Sequence, residues 1–118
     1  MKEVYINRVA KFLPNEPISN DEMESYLGKI NDKESKARRI VLRNNGIQTR
    51  YYALTAAGKP THTNAELTAL AIANLFDESF GPQDAELLSC GTSSPDYLMP
   101  SHAVMVHGVL ANRDMEVN

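Results

Sequence analysis

The spacing of apolar and polar positions divides the first half of the chain into strand-like and helix-like segments. Residues 4–13 and 47–54 are rich in β-branched and aromatic side chains, which is typical of strands. Between them, a capping box formed by Ser19 and Glu22 predicts a helix over residues 19–27. A second helix is predicted over residues 32–45, and a glycine follows each helix. This half therefore predicts a strand, two helices and a second strand, in that order.

The clearest helix is predicted over residues 63–76. Thr63 and Glu66 have the spacing of a capping box, in which each side chain bonds the other residue's backbone N–H. A wide apolar arc follows, which predicts that both sides of this helix are covered. The positions at helical spacing are Leu67, Leu70, Ala71, Asn74 and Leu75, and the residues that widen the arc are Ala69, Ile72, Ala73 and Phe76.

The stretch from 87 to 110 predicts the mouth of a site. Residues 87–90 are typical of a buried strand, and Pro95 and Pro100 bracket an irregular polar loop. A helix is predicted over residues 100–110, and ligands of open α/β sheets bind at such strand ends. Residues 115–118 then predict the start of another strand.

Alternating strands and helices predict a layered α/β fold in one domain spanning residues 1–118. A strand starting four residues from the end lacks a sequence partner, so an incomplete layered domain is expected. Its helices 63–76 and 100–110 should be covered by another copy or by further chain.

Composition narrows the possible functions. A net charge of −3 argues against general nucleic-acid binding, and no apolar run approaches the 18 residues of a membrane span. No signal peptide is expected, because a strand-like segment begins at residue 4, and a lone cysteine, Cys90, suits a reducing compartment. A cytoplasmic location is expected.

The candidate reactive side chains favour structural roles. Cys90 lies in a predicted buried strand without a helix N-terminus behind it, so we interpret it as a packing residue. His102 and His107 diverge around a helix and His62 is remote from both, so no metal site is predicted. Ser93, Ser94 and Ser101 lack a nucleophile-elbow motif and are expected to cap or line the loop. The chain has neither a P-loop motif nor a dinucleotide-binding glycine motif.

The helix predicted over residues 32–45 carries five of the twelve basic residues of the chain. Lys36, Arg39 and Arg43 fall on one face of it. The pattern is compatible with a solvated face, or with an anion site, because clustered arginines and lysines suit phosphates.

In its order of motifs, the chain resembles the N-terminal third of a β-ketoacyl-acyl-carrier-protein synthase III, a condensing enzyme of the thiolase fold. The first matching features are Leu13-Pro14, the Ser19-Asn20 helix start and Asn45-Gly46-Ile47 with Arg50 following. The strongest is Gly91-Thr92-Ser93-Ser94 leading to Met99-Pro100-Ser101, which is similar to the family's Thr-Thr-Ser and Phe-Pro-Ser segments. The fold implied is the incomplete N-terminal half of a thiolase-like αβαβα arrangement, a mixed sheet with helices.

The resemblance implies decarboxylative Claisen condensation of an acyl thioester with malonyl-acyl-carrier protein, in fatty acid or related lipid biosynthesis. Catalysis in the family uses a cysteine, a histidine and an asparagine that match no residue of this chain. The chain alone is therefore expected to be inactive. A homodimer is implied, and no cofactor is.

Four substrate-binding positions are implied by the resemblance, each with a departure from the family. Ile40 falls where an aromatic ring stacks on the coenzyme A adenine, and Ile40 cannot stack. Lys36 and Asn44 fall where a threonine and an arginine contact coenzyme A, and Met99 replaces a phenylalanine that reaches into the partner's acyl pocket. Acyl-coenzyme A and acyl-carrier protein both stay open as donors, and the basic helix suits an acidic carrier protein.

Two other functions stay open. One is a non-catalytic binding or assembly module that acts through the loop at residues 93–101. The other is a small enzyme that uses Cys90 as its nucleophile.

Overall fold

A computed structural model of the chain describes residues 3–116, and the side chains of residues 3–112. Within that range it is a small mixed α/β protein with four helices and a two-stranded sheet. The chain divides into two compact units. The first unit combines the segments Met1–Phe12 and Thr63–Asn118, and the second is Leu13–His62.

The second unit contains the sheet and the two shorter helices. Strand β1 (Ile18–Ser19) pairs antiparallel with β2 (Thr49–Arg50), with Ile18 opposite Arg50. Helix α1 (Met23–Leu27) ends at Gly28 with φ 81°, and helix α2 (Arg38–Asn45) ends at a left-handed Gly46. Both glycines terminate helices as predicted, because they adopt positive φ at little steric cost.

Both helices of this unit are shorter than predicted. Ser19 and Glu22 form the reciprocal hydrogen bonds of a capping box, yet Ser19 itself belongs to β1 and α1 begins at Met23. Residues 32–37 are not α-helical, and Asn31 and Asp32 have positive φ. A backbone at positive φ cannot continue a right-handed helix, so α2 starts six residues later than expected.

In the first unit, helix α3 (Asn64–Ala73) packs on helix α4 (His102–Glu116). Ala65, Ala69 and Val106 form the buried centre of this contact, and Cys90 and Leu88 pack against it. Small alanines one turn apart let α4 approach closely. Ala69 belongs to the predicted apolar arc of α3 and is fully buried, whereas Asn74, at one of the spaced positions, is exposed.

Two of the predicted strands, at residues 4–13 and 87–90, are not strands in the structure. Residues 4–13 and 87–90 have no ladder partner among the described residues, and the predicted strand 47–54 is reduced to β2. Met115 and Glu116 belong to α4 instead of starting a strand, while residues 117–118 lie outside the described part. Strand-like composition forms a strand only when a neighbour pairs with its backbone, and these segments lack one in the described chain.

Residues 4–13 are held to the rest of the first unit by side chains instead. Arg8 donates to the Leu75 carbonyl at 3.0 Å, pairs with the Asp77 carboxylate and lies over the Phe80 ring. Asn74 donates to the Lys11 carbonyl at 3.0 Å. The apolar side chains of this segment are largely exposed, namely Val4, Tyr5, Ile6 and Val9.

Candidate functional site

The loop at residues 91–101 follows Cys90, ends at α4 and is bound to the N-terminus of α3. The backbone N–H groups of Asn64 and Ala65 donate to the two carboxylate oxygens of Asp96, each at 2.8 Å. Helix N-termini leave such N–H groups without partners and favour negative charge. Asp96 therefore fixes the middle of the loop on α3.

The side chain of Asn64 binds the first part of the same loop. Its Nδ2 group donates to Thr92 Oγ1 at 2.9 Å and to the Ser94 carbonyl. Thr92 Oγ1 also accepts the Ser94 backbone N–H at 3.1 Å. These contacts use the Thr92 hydroxyl and the Ser94 backbone to shape this segment. The capping or lining role predicted for the hydroxyls of Ser93, Ser94 and Ser101 stays a prediction.

The end of the loop is fixed by a buried histidine at the start of α4. His102 is 8% exposed, and its Nε2 lies 3.1 Å from Thr68 Oγ1 of α3. The Thr68 hydroxyl donates its only proton to the Asn64 carbonyl at 2.9 Å, so it must accept from His102. The histidine therefore carries its proton on Nε2, and its buried Nδ1 has no hydrogen-bond partner among the described residues.

Between these two attachments, the tip of the loop exposes three large apolar side chains. Tyr97, Leu98 and Met99 are 68%, 90% and 83% exposed. Exposed apolar residues that are contiguous and rigidly supported are typical of interaction or ligand-contact surfaces.

Cys90 does not have the environment of a nucleophile. Its side chain is partly buried against the α3–α4 core, and burial raises the pKa of the thiol. Thiolates are the reactive form of cysteine, and neither a helix N-terminus nor a cation lowers this pKa. The packing role predicted for Cys90 agrees with this environment.

An apolar groove of about 430 Å³ lies beside Cys90 in the first unit. Its walls include Ile72 and Phe76 on the α3 side and Leu88 on the segment before Cys90. Within the described residues, no group of three histidine, cysteine, aspartate or glutamate side chains could hold a metal ion. No described helix is long and apolar enough to cross a membrane.

The four implied substrate-binding positions are all exposed, but they fall in different units. Ile40 and Asn44 lie one turn apart on α2 in the second unit, and Lys36 lies just before that helix. Met99 belongs to the first unit. Their roles in binding stay predictions.

Comparison with known proteins finds a similarity to a condensing enzyme. The chain is 32% identical over 108 residues to the β-ketoacyl-[acyl-carrier-protein] synthase III of Allorhizobium ampelinum. The match covers 89% of this chain and 29% of that enzyme, so the chain spans less than a third of the relative's length. No protein-family profile matches the chain. The similarity agrees with the family resemblance seen in the sequence motifs, and the described α/β fold is compatible with part of a thiolase-like domain.

Sequence reasoning missed the residues that hold the loop in place. Asp96 was placed in the loop, but its partners Asn64 and Ala65 are more than thirty positions away. The available signal was an acidic side chain in a polar loop together with a helix N-terminus that needs acceptors. His102 and Thr68 gave no such signal, because their spacing predicts no contact.

Proposed function

We propose that this chain contributes part of an acyltransferase of the ketoacyl synthase III type. The whole protein would join an acyl thioester to malonyl-acyl-carrier protein with loss of carbon dioxide. The observation that carries this proposal is the 32% identity over 108 residues to an enzyme of that name. The ordered motifs around residues 45–50 and 91–101 also support it.

In this proposal the loop tip closes an acyl-binding chamber. Met99 is 83% exposed and lies between the two attachments of the loop at Asp96 and His102. A flexible, polarizable thioether adapts to irregular apolar surfaces, so it can pack against an acyl chain where the family has phenylalanine. The chamber would be completed by a second copy of the chain, as in a homodimer.

The chain supplies the walls of the chamber and not its reactive group. The raised pKa and partial burial of Cys90 disfavour thioester formation at neutral pH. Nucleophilic catalysis would therefore depend on residues other than these 118, and the chain alone would be inactive.

The basic surface of α2 suits an acidic acyl-carrier protein as donor. Arg39 and Arg43 lie on this helix, and neither forms an ion pair within the described residues. Complementary charge accelerates association with an acidic partner. Coenzyme A binding should be weak in comparison, because Ile40 offers no aromatic face to the adenine ring.

Replacing Ile40 with tryptophan tests whether this residue lies at the coenzyme A position that the family resemblance implies. Ile40 is 59% exposed, so a larger ring fits without disturbing the core. Base–aromatic stacking contributes about 1–3 kcal/mol per base, so Ile40→Trp should tighten coenzyme A binding about tenfold. Calorimetric titration of the wild-type chain, Ile40→Trp and Ile40→Leu measures the change.

Ile40→Leu is the matched control, because it conserves apolar size without adding a π face. We expect tighter coenzyme A binding by Ile40→Trp and not by Ile40→Leu. Free pantetheine lacks adenine, so neither variant should bind it more tightly than the wild-type chain does. Equal affinities for all three proteins would remove this position from the coenzyme A site.

A second candidate function is a binding or assembly module. The exposed tip of Tyr97, Leu98 and Met99 favours it, because a rigidly held apolar patch can dock a protein partner without catalysis. Tight association of the tip with a protein unrelated to acyl transfer, together with no response to acyl thioesters, would favour this alternative.

A further inference from the structure

Charge is distributed unevenly between the two units. Residues 13–62 contain eight lysines and arginines against six acidic residues, whereas the remainder contains four against nine. Although the net charge of the whole chain is negative, the unit at residues 13–62 therefore has a positive net charge. Anions in solution are attracted to that unit and repelled by the other.

The positive charge of the second unit is concentrated at a polar pocket of about 330 Å³. Its lining side chains come from α2 and from the turn that precedes α1. They are Asn20, Asp21, Arg38, Arg39, Leu42 and Arg43.

Part of the pocket is held rigidly by hydrogen bonds and an ion pair. Asn20 donates to the Ile47 carbonyl at 3.0 Å and accepts from the Arg50 guanidinium. Arg38 pairs with Glu24 at 3.3 Å, with both side chains largely buried. These contacts fix one wall of the pocket before any ligand binds.

Arg39 and Arg43 are not neutralised in the same way. They stand four residues apart on α2, where side chains are neighbours and like charges repel. Neither makes a hydrogen bond or ion pair within the described residues, and the Asp21 carboxylate in the pocket pairs with neither. Behind Asn20, a buried terminal nitrogen of Arg50 also has no partner in the described part of the chain. The site retains an excess of positive charge that an anion would offset.

We propose that this pocket binds the dianionic phosphate of a phosphomonoester. Guanidinium groups present forked N–H donors that match phosphate oxygens, and two of them one turn apart can share one phosphate. Asn20 has a second amide N–H that can donate to the same group. Two arginines facing one ligand favour the double charge of a monoester over the single charge of a phosphodiester.

This site differs from the coenzyme A positions considered above and does not depend on the acyl-transfer proposal. Lys36, Ile40 and Asn44 do not line the pocket. A phosphate bound at Arg39 and Arg43 would therefore contact a different set of side chains.

The test is an NMR titration of the isotope-labelled 118-residue chain with methyl phosphate, with sodium chloride at equal ionic strength as reference. Saturable shifts confined to the amide of Asn20 and the guanidinium signals of Arg39 and Arg43 are expected. The double substitution Arg39→Gln with Arg43→Gln should weaken binding about tenfold or more, because charge-assisted bidentate bonds are lost. Lys59→Gln, the same loss of charge elsewhere in this unit, should leave it unchanged.

Two further comparisons test the role of arginine geometry and the preference for a phosphomonoester. Arg39→Lys with Arg43→Lys retains charge and should bind with intermediate affinity, while dimethyl phosphate should bind more weakly than methyl phosphate. Non-saturating shifts spread over all basic residues, or equal loss in Lys59→Gln, would overturn the site. Equal binding of the two phosphates would overturn its assignment to a monoester. Far-ultraviolet circular dichroism of each variant establishes that α2 is intact.

Discussion

At the scale of single residues, the most informative contact is the one between His102 and Thr68. It joins the first residue of α4 to the middle of α3, directly after the loop that carries Met99. Because the hydroxyl already donates to Asn64, the histidine must be the donor. The proton position thus follows from counting donors and acceptors.

Thr68→Val should destabilise the chain by about 1–3 kcal/mol, because the buried His102 Nε2–H loses its acceptor. Denaturant unfolding measures the loss, and nitrogen-15 NMR of the ring reports the tautomer. Thr68→Ser keeps the hydroxyl and is the control, with a much smaller expected loss. Equal destabilisation by valine and serine would show that the hydrogen bond is not what holds this junction.

At the scale of elements, α3 organises the candidate site through its N-terminus. Thr63 accepts the Glu66 N–H at 3.1 Å and Asp96 accepts those of Asn64 and Ala65, so a local cap and a distant one act together. The Thr63 N–H donates in turn to the Glu66 carboxylate at 2.7 Å. All four initial N–H groups of the helix are therefore satisfied.

Asp96→Ala should cost about 1–2 kcal/mol and release the loop, because two charge-assisted bonds to α3 disappear. Amide hydrogen exchange is the measurement, and it should accelerate at Asn64 and Ala65 while Glu66 stays protected by Thr63. Glu86→Gln removes an exposed carboxylate from the same unit and is the control. Unchanged exchange at residues 64 and 65 in Asp96→Ala would refute the anchoring role.

Local features of the helices could be predicted from the sequence, whereas contacts between distant segments could not. The Thr63–Glu66 capping box was predicted and confirmed because its partners are three residues apart, and Gly28 and Gly46 end helices as expected. Asp96 could not be assigned to α3, since nothing in the sequence specifies a contact across thirty residues. The strand predicted at residues 4–13 failed for a related reason: composition favours an extended backbone, but a partner strand decides pairing.

At the scale of the whole molecule, the described residues hold three candidate surfaces. They are the loop tip, the apolar groove near Cys90 and the basic pocket on α2. The first is fixed by Asp96 and His102, and the last by Asn20 and the Arg38–Glu24 pair. None of them contains an activated nucleophile among the described residues. The homodimer implied by the family resemblance stays a prediction.

The most direct measurement is intact mass spectrometry of the chain after incubation with acetyl- and octanoyl-coenzyme A at neutral pH. The account predicts an unchanged mass, because burial raises the pKa of the Cys90 thiol and keeps it protonated. A maleimide adduct formed after unfolding in guanidinium shows that the thiol itself is intact. An acyl adduct on the folded chain that hydroxylamine removes and Cys90→Ser abolishes would contradict the account, since these residues would then carry their own catalytic cysteine.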